Sequence, residues 1–240
     1  MFTPNRRHFL GGAALAGLGA VAGCSRNKVI HGEHTLTEDT ANLTPDQALA
    51  KLTEGNARFV GMTEIEPNVS SARLVAVASG QKPFVGVLGC VDSRVPPELV
   101  FDRGLGDIFD ARIAGAIPDD AAIGSLEFGV EEFGVPLLVV LGHSRCGAVT
   151  AAVKEITSGG PPPPGRIGAV VDPILPAVKA VQAQGVTGDA VINASAKEVV
   201  RRSVAALHDS PVLRDRLADG KLKIVGAFYD LDTGKVEFLP

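Results

Sequence analysis

Segments of strand length alternate with helical segments through the middle of this sequence. The predicted strands span 84–89, 107–113 and 135–141, and the first and last are rich enough in apolar residues to be buried on both faces. Helices are predicted at 44–59, 71–79 and 119–133. Right-handed crossovers join strands in such an arrangement, so we expect an α/β fold with a central, mostly parallel sheet flanked by helices.

The last third of the chain continues with helices and closes with a hairpin. Helices are predicted from Cys146 to about Thr157, over 167–182 with a bend at Pro173 and Pro176, and over 190–208. A Gly- and Pro-rich connection at 159–164 follows the first of them. Strands at 222–229 and 235–238 flank Asp232-Thr233-Gly234, a turn signal that predicts an added C-terminal edge hairpin.

Length and charge limit the classes of protein to consider. A chain of 240 residues supports one sizeable core, and we place the single domain at residues 44–240, after a polar tether at 24–43. The formal net charge is -4, and there is no basic stripe of the kind that neutralises phosphates. Nucleic acid is therefore not expected as a partner.

The first 23 residues are similar to a twin-arginine export signal. Arg6 and Arg7 precede Phe9-Leu10 and a Gly- and Ala-rich apolar run from Gly11 to Gly23, which is too short for a stable membrane-spanning helix. A chance arginine pair before an ordinary helix is the alternative. The signal predicts export to the periplasm or cell envelope by the route that carries folded cargo.

The end of this segment resembles a lipobox, Val21-Ala22-Gly23-Cys24. In that case Cys24 would be diacylated at the mature N-terminus and would anchor the protein to a membrane. Ordinary cleavage after Ala22 would instead release a soluble periplasmic protein.

Two predicted strands lead to residues that can bind a metal. Cys90 follows the first strand directly and His143 lies just beyond the third, so both are expected at the carboxyl edge of a parallel sheet. Cys146 is three residues past His143 and can reach the same ion. Two thiolates and one imidazole suit a tetrahedral zinc with a fourth position open for water, the pattern of a catalytic site. A disulfide, or two small buried apolar residues, is the alternative for the cysteines.

Asp92 and Arg94 follow Cys90 at alternate positions and can pair with each other. Asp92 could coordinate the zinc and block its open position, or it could accept a hydrogen bond from the bound water while Arg94 holds it back. In the second arrangement we expect a zinc-bound hydroxide as the nucleophile at alkaline pH. Zinc lowers the pKa of a bound water toward about 7, but two anionic thiolates should make it less acidifying than a site of three imidazoles. An ordinary surface ion pair is the alternative interpretation.

Together, Cys90-x-Asp92-Ser93-Arg94 and His143-x-x-Cys146 resemble the motifs of the β-class carbonic anhydrases. Further similar segments lie at 55–59, 106–109, 114–115, 124–128 and 142–147, so the likeness extends over most of the chain from Thr44. The resemblance implies reversible hydration of carbon dioxide to bicarbonate and a proton at one zinc per subunit. It also implies an obligate homodimer with active sites at the subunit interface.

A small apolar substrate requires an apolar wall beside the metal. The candidates for this substrate pocket are Val95, Phe101, Ile113, Ala114 and Gly115. The last three lie in Arg112-Ile113-Ala114-Gly115-Ala116, where the family's commonest form is Arg-Asn-Ala-Gly-Asn. This departure bears on local hydrogen bonding and rate more than on the type of reaction.

Three other functions fit parts of the pattern. A carbonyl sulfide or carbon disulfide hydrolase would use the same scaffold on a different linear triatomic substrate. A non-catalytic zinc-binding lipoprotein would need neither Asp92 nor Arg94. A thiol-redox enzyme would need a reversible Cys90–Cys146 disulfide, although the two cysteines do not form a Cys-x-x-Cys motif.

Overall fold

The computed structural model describes residue 40, residues 42–159 and residues 163–240. Its strands are β1 (Val85–Gly89), β2 (Ile108–Arg112), β3 (Leu137–His143), β4 (Lys223–Tyr229) and β5 (Val236–Leu239). They form one sheet in the order β2-β1-β3-β4-β5. The first four strands are parallel and β5 pairs antiparallel with β4. The predicted mostly parallel sheet with a C-terminal edge hairpin is confirmed.

Helices cover both faces of this sheet. They are α1 (Pro45–Gly61), α2 (Ser71–Val77), α3 (Pro97–Val100), α4 (Asp120–Phe133), α5 (Gly147–Ser158), α6 (Gly168–Val171), α7 (Leu175–Ala183), α8 (Ala190–Asp209) and α9 (Pro211–Ala218). Two 3₁₀ turns lie at Ala114–Ala116 and Asp172–Ile174. Among the described residues, no helix has the length and apolar character needed to cross a membrane.

The first helix begins as its sequence predicts. Thr44 and Gln47 form a reciprocal capping box, and Pro45 occupies the first helical position, where a missing N–H costs nothing. The helix ends at Gly61, two residues beyond the expected end. On its buried face, Asn56 donates to the carbonyls of Val100 (3.0 Å) and Gly234 (2.9 Å). This side chain therefore joins α1 to α3 and to the C-terminal hairpin.

The helix expected over 167–182, with a bend at Pro173 and Pro176, forms as three consecutive helical pieces. The structure divides this segment into α6, a 3₁₀ turn and α7, with Pro173 in the turn and Pro176 at the start of α7. Each proline lacks the N–H that a continuous helix needs and crowds the preceding turn, so the helix breaks where a bend was expected. Helices α3 and α9 were not predicted. The start of α9 does carry a local signal, since Ser210 caps it and Pro211 is its first residue.

The apolar core lies on both faces of β1 and β3. On one face, Val87 and Val139 pack in a cluster with Leu52 of α1. On the other, Leu88 and Val140 pack in a cluster with residues of α4 and α8. Burial on both faces explains the near-continuous apolar sequences of these two strands.

Candidate metal centre

The sheet register brings the ends of β1 and β3 together. Gly89, the last residue of β1, pairs with Leu141 of β3. Cys90 therefore leaves the sheet beside the end of β3, where His143 is the last strand residue. A short loop then leads to Cys146, which occupies the N-cap position of α5. The two parallel strands thus place Cys90 and His143, which are far apart in sequence, at one edge of the sheet.

The three predicted ligands form a compact buried group. The Sγ atoms of Cys90 and Cys146 and a ring nitrogen of His143 all lie within 4.8 Å of one another, and the group could hold a metal ion. Both cysteines are free thiols. Two sulfur atoms and one imidazole nitrogen at this separation suit zinc, which prefers these donors.

His143 is oriented to offer one nitrogen to a metal. Its Nδ1 lies 2.9 Å from the carbonyl oxygen of Ser144. Because a carbonyl only accepts hydrogen bonds, Nδ1 must carry the proton, which leaves the Nε2 lone pair free. Nε2 is buried and has no hydrogen-bond partner among the described residues. A buried nitrogen of this kind is costly unless something binds it, and a metal ion fits the requirement.

The two thiols differ strongly in their surroundings. The hydrogen bond from the Cys146 side chain, with the Gly115 N–H 3.3 Å from Sγ, lowers the pKa of Cys90 to about 4 against the effect of burial. The hydrogen bond to Cys90, with burial, raises the pKa of Cys146. One thiolate is thus favoured within the pair before any metal binds, and a thiolate is the form that ligates zinc.

Asp92 lies beside this group and is held by Arg94. The Arg94 guanidinium donates to both carboxylate oxygens, from Nε to Oδ1 at 2.9 Å and from Nη2 to Oδ2 at 2.7 Å. The Arg94 backbone N–H adds a third bond at 3.0 Å. These bonds hold the pKa of Asp92 well below its usual range. Oδ2 lies 3.9 Å from His143 Nε2, so the ionised carboxylate reaches the edge of the ligand group.

Arg112 supports the loop that carries Cys90, a role the sequence did not reveal. Its Nε donates to the Cys90 carbonyl at 2.9 Å and its Nη2 to the Asp92 carbonyl at 2.6 Å. The side chain therefore fixes the backbone on both sides of Val91. The signal available in the sequence was its place at the end of a predicted strand that neighbours β1, although spacing alone does not show which backbone groups a guanidinium reaches.

The small cavity at the ligand group is lined by one residue of the predicted substrate wall and by others. Gly115 lines the small cavity at the cysteines and His143, together with Gly142, Val149 and Ala196, which were not predicted. Ile113 and Ala114 lie next to it, Ile113 packing partly buried against two core clusters and Ala114 in the 3₁₀ turn.

Val95 and Phe101 lie in the core cluster that packs against α1. Both are fully buried, with exposed fractions of 1% and 0%. A place for either of them in the substrate pocket stays a prediction.

Comparisons with known proteins agree with this geometry. The family model described as carbonic anhydrase matches residues 85–236. The chain is 40% identical over 195 residues to carbonic anhydrase 2 of Mycobacterium tuberculosis, covering 81% of this chain and 92% of that protein.

Two solved structures share the fold. The β-carbonic anhydrase CafA of the fungus Aspergillus fumigatus superimposes with a TM-score of 0.64 at 26% identity, over 81% of this chain and 89% of that one. A tetrameric β-carbonic anhydrase of Sordaria macrospora gives a TM-score of 0.63 at 24% identity, over 69% of this chain and 85% of that one.

Proposed function

The chain belongs to the β-class carbonic anhydrase family, and on that premise we propose that it is a zinc-dependent carbonate dehydratase. It would convert carbon dioxide and water reversibly to bicarbonate and a proton. The observation that carries the proposal is the buried Cys90, His143 and Cys146 group, in which His143 Nε2 has no hydrogen-bond partner among the described residues.

Cys90, His143 and Cys146 would hold one zinc per subunit. When bound, zinc would act as a Lewis acid that lowers the pKa of a water molecule, so that this water can act as a nucleophile at alkaline pH. The chain's own residues fix the ligands: the Ser144 carbonyl orients the imidazole, and the Gly115 N–H supports the Cys90 sulfur. Three protein ligands leave a fourth position for the reaction, as catalytic zinc sites require.

Asp92 and Arg94 would act as a gate at that fourth position. With both oxygens bonded to Arg94, the Asp92 carboxylate is kept ionised, and these hydrogen bonds would compete with direct coordination of the metal. It can then accept a hydrogen bond from the reacting water and point a lone pair of that water at the substrate. Without Arg94, the same carboxylate would be free to bind the metal and block it.

The proposed substrate is compatible with the residues that lie beside the ligands. Gly115, Val149 and Ala196 supply small apolar surface beside the ligands, and the cavity is small. Carbon dioxide carries no charge and needs no charged anchor, so this surface suits it. Carbonyl sulfide and carbon disulfide have the same linear shape, and hydrolysis of these gases is the alternative that the assay must separate.

The test is stopped-flow hydration of carbon dioxide by protein of measured zinc content, with carbonyl sulfide and carbon disulfide assayed on the same sample. We expect carbon dioxide hydration that disappears in Cys146→Ser, which loses a ligand. Zinc-loaded oligomer without carbon dioxide hydration would contradict the proposal, and turnover of the sulfur gases alone would favour the hydrolase.

The active form would be a homodimer or a larger oligomer. Helix α2 has no buried residue, and its Leu74 and Val75 are 59% and 75% exposed. Leu99 of α3 and Leu105 are exposed as well. Exposed apolar side chains of this size are typical of surfaces that bind another protein. Sedimentation equilibrium is expected to show no stable monomer at micromolar concentration.

The protein would be exported by the twin-arginine route and lipid-anchored at Cys24. Support for this comes from the sequence, because residues 1–39, which include the signal and Cys24, lie outside the described residues. Mass spectrometry of the protein from its own membranes is expected to find an acylated Cys24 at the N-terminus. An unmodified N-terminus at Gly23 would instead identify a soluble periplasmic form.

A further inference from the structure

Ser144 is buried, lies between two zinc-ligand candidates in the sequence, and makes a hydrogen bond through its N–H, its carbonyl and its Oγ. It is 1% exposed. Its carbonyl accepts from His143 Nδ1 at 2.9 Å, and its N–H donates to the Tyr229 carbonyl at 2.9 Å. Its Oγ accepts from the Leu231 N–H, also at 2.9 Å. One residue thus connects the imidazole ring to backbone on both sides of Asp230.

The segment that receives these bonds is itself well fixed. Residues 230–235 form the turn between β4 and β5, in which the Asp230 N–H donates to the Lys235 carbonyl at 2.9 Å. The Asp230 Oδ1 atom accepts from the N–H of Asp232 (3.0 Å) and from the N–H and hydroxyl of Thr233 (both 2.9 Å). The turn is therefore held in one conformation by its own hydrogen bonds, and residues that bond to it are fixed in place.

A second attachment joins the same loop to the same turn. The Arg145 guanidinium donates to both oxygens of Asp232, at 2.6 and 2.8 Å. The Arg145 N–H donates to Asn193 Oδ1 of α8 at 2.9 Å. Arg145 has a φ of +54°, a left-handed conformation that a residue with a side chain adopts only when its surroundings impose it. The conformation of residues 143–146 is thus maintained by contacts from outside the loop.

We propose that Ser144 is a positioning residue that holds His143 in its metal-binding orientation by fastening residues 143–146 to the β4–β5 turn, with the Arg145–Asp232 pair as a second fastening. The inference rests on the zinc site proposed above. Ser144 does not touch the metal or the substrate. It acts through the carbonyl that fixes the imidazole, and groups that orient a ligand in this way affect metal retention by about 10- to 100-fold.

The experiment compares Ser144→Ala with Ser195→Ala. Ser195 is also fully buried, but its Oγ has no hydrogen-bond partner among the described residues, so that variant removes the same group without touching the loop. Transfer of zinc to a chelator and the absorption spectrum of the cobalt-substituted protein are measured. We expect zinc loss about 10-fold faster and a shifted cobalt spectrum in Ser144→Ala alone. Equal rates and equal spectra in the two variants would overturn the proposal.

A second pair of variants serves if Ser144→Ala does not fold. Asp232→Ala removes an exposed ion pair on the turn, and Glu237→Ala removes a matched exposed pair, Lys197 to Glu237 at 2.6 Å, which does not involve the loop. Only Asp232→Ala is expected to speed zinc loss, by about 3-fold. Equal zinc loss would refute the positioning role, whereas a wild-type protein that binds no zinc would refute the proposed enzyme itself.

Discussion

Replacing Gly115 with alanine is predicted to weaken the fold and the zinc site together. Gly115 has a φ of +79°, where an L side chain is strained by about 1–2 kcal/mol. An added Cβ would lie 2.8 Å from Ile174 Cδ1 and 3.4 Å from Ala148 Cβ, so neighbours must move. Such overpacking adds about 1 kcal/mol or more. We expect the free energy of unfolding to fall by about 2–4 kcal/mol, measured by urea denaturation.

Gly134→Ala separates backbone strain from crowding. Gly134 has a φ of +67°, but a Cβ there would meet nothing within 4 Å, so only the strain of about 1–2 kcal/mol applies. A second control is Ile174→Val, which removes the crowded Cδ1 atom. The double variant Gly115→Ala with Ile174→Val should be more stable than the sum of the single effects predicts, by about 1 kcal/mol.

The second part of the prediction for Gly115→Ala concerns zinc retention. The Gly115 N–H lies 3.3 Å from Cys90 Sγ. Displacement of the 3₁₀ turn would therefore weaken this hydrogen bond to a ligand sulfur. Zinc transfer to a chelator should be about 10-fold faster in Gly115→Ala and unchanged in Gly134→Ala. If both variants lost the same stability and kept zinc equally well, the reasoning about Gly115 would be refuted.

Three further predictions concern the Asp92–Arg94 pair and the fold. Asp92→Asn should keep zinc but lower kcat by about 100-fold or more in stopped-flow assays, because an amide is a poor acceptor for the water's proton; unchanged kcat would remove Asp92 from the mechanism. Arg94 holds the pKa of Asp92 below its usual value of about 3.9, so the pair's stabilisation is complete above that pH and is lost as the pH falls through the lower native value. In Arg94→Ala the free energy of unfolding should therefore fall less steeply with decreasing pH than it does in the wild type. An equally steep fall in both proteins would contradict the prediction. Asn56→Leu breaks two buried hydrogen bonds, to the Val100 carbonyl and the Val236 N–H, and a partly buried one to the Gly234 carbonyl. It should lower the free energy of unfolding by about 3 kcal/mol or more in urea denaturation, whereas a loss below about 1 kcal/mol would refute that account.

Much of the fold follows from local sequence signals. The strands that lead to Cys90 and His143 are apolar because both faces are buried, and parallel order then brings their ends together. The capping box at Thr44 and Gln47 likewise marks the start of α1 to the residue. These features depend on neighbours along the chain, which is why a sequence reveals them.

Other features depend on contacts that sequence spacing does not encode. Arg112 and Ser144 act through single hydrogen bonds to backbone groups of distant elements, and such bonds leave no periodic pattern. The surroundings of the ligand group depend on such contacts too. Val95 and Phe101 follow Cys90 closely in sequence but pack against α1, whereas Ala196 of α8 reaches the cavity. Which face of the sheet a loop residue joins is decided by tertiary packing.

The most direct test of the account is X-ray absorption at the zinc edge of the purified protein, combined with metal analysis. We predict one zinc per subunit with two sulfur ligands at about 2.3 Å and imidazole nitrogen at about 2.0 Å. Cys146→Ser should lose one sulfur scatterer or the metal itself. Protein that carries no zinc after expression with zinc present, or zinc without two sulfur ligands, would contradict the assignment of Cys90, His143 and Cys146.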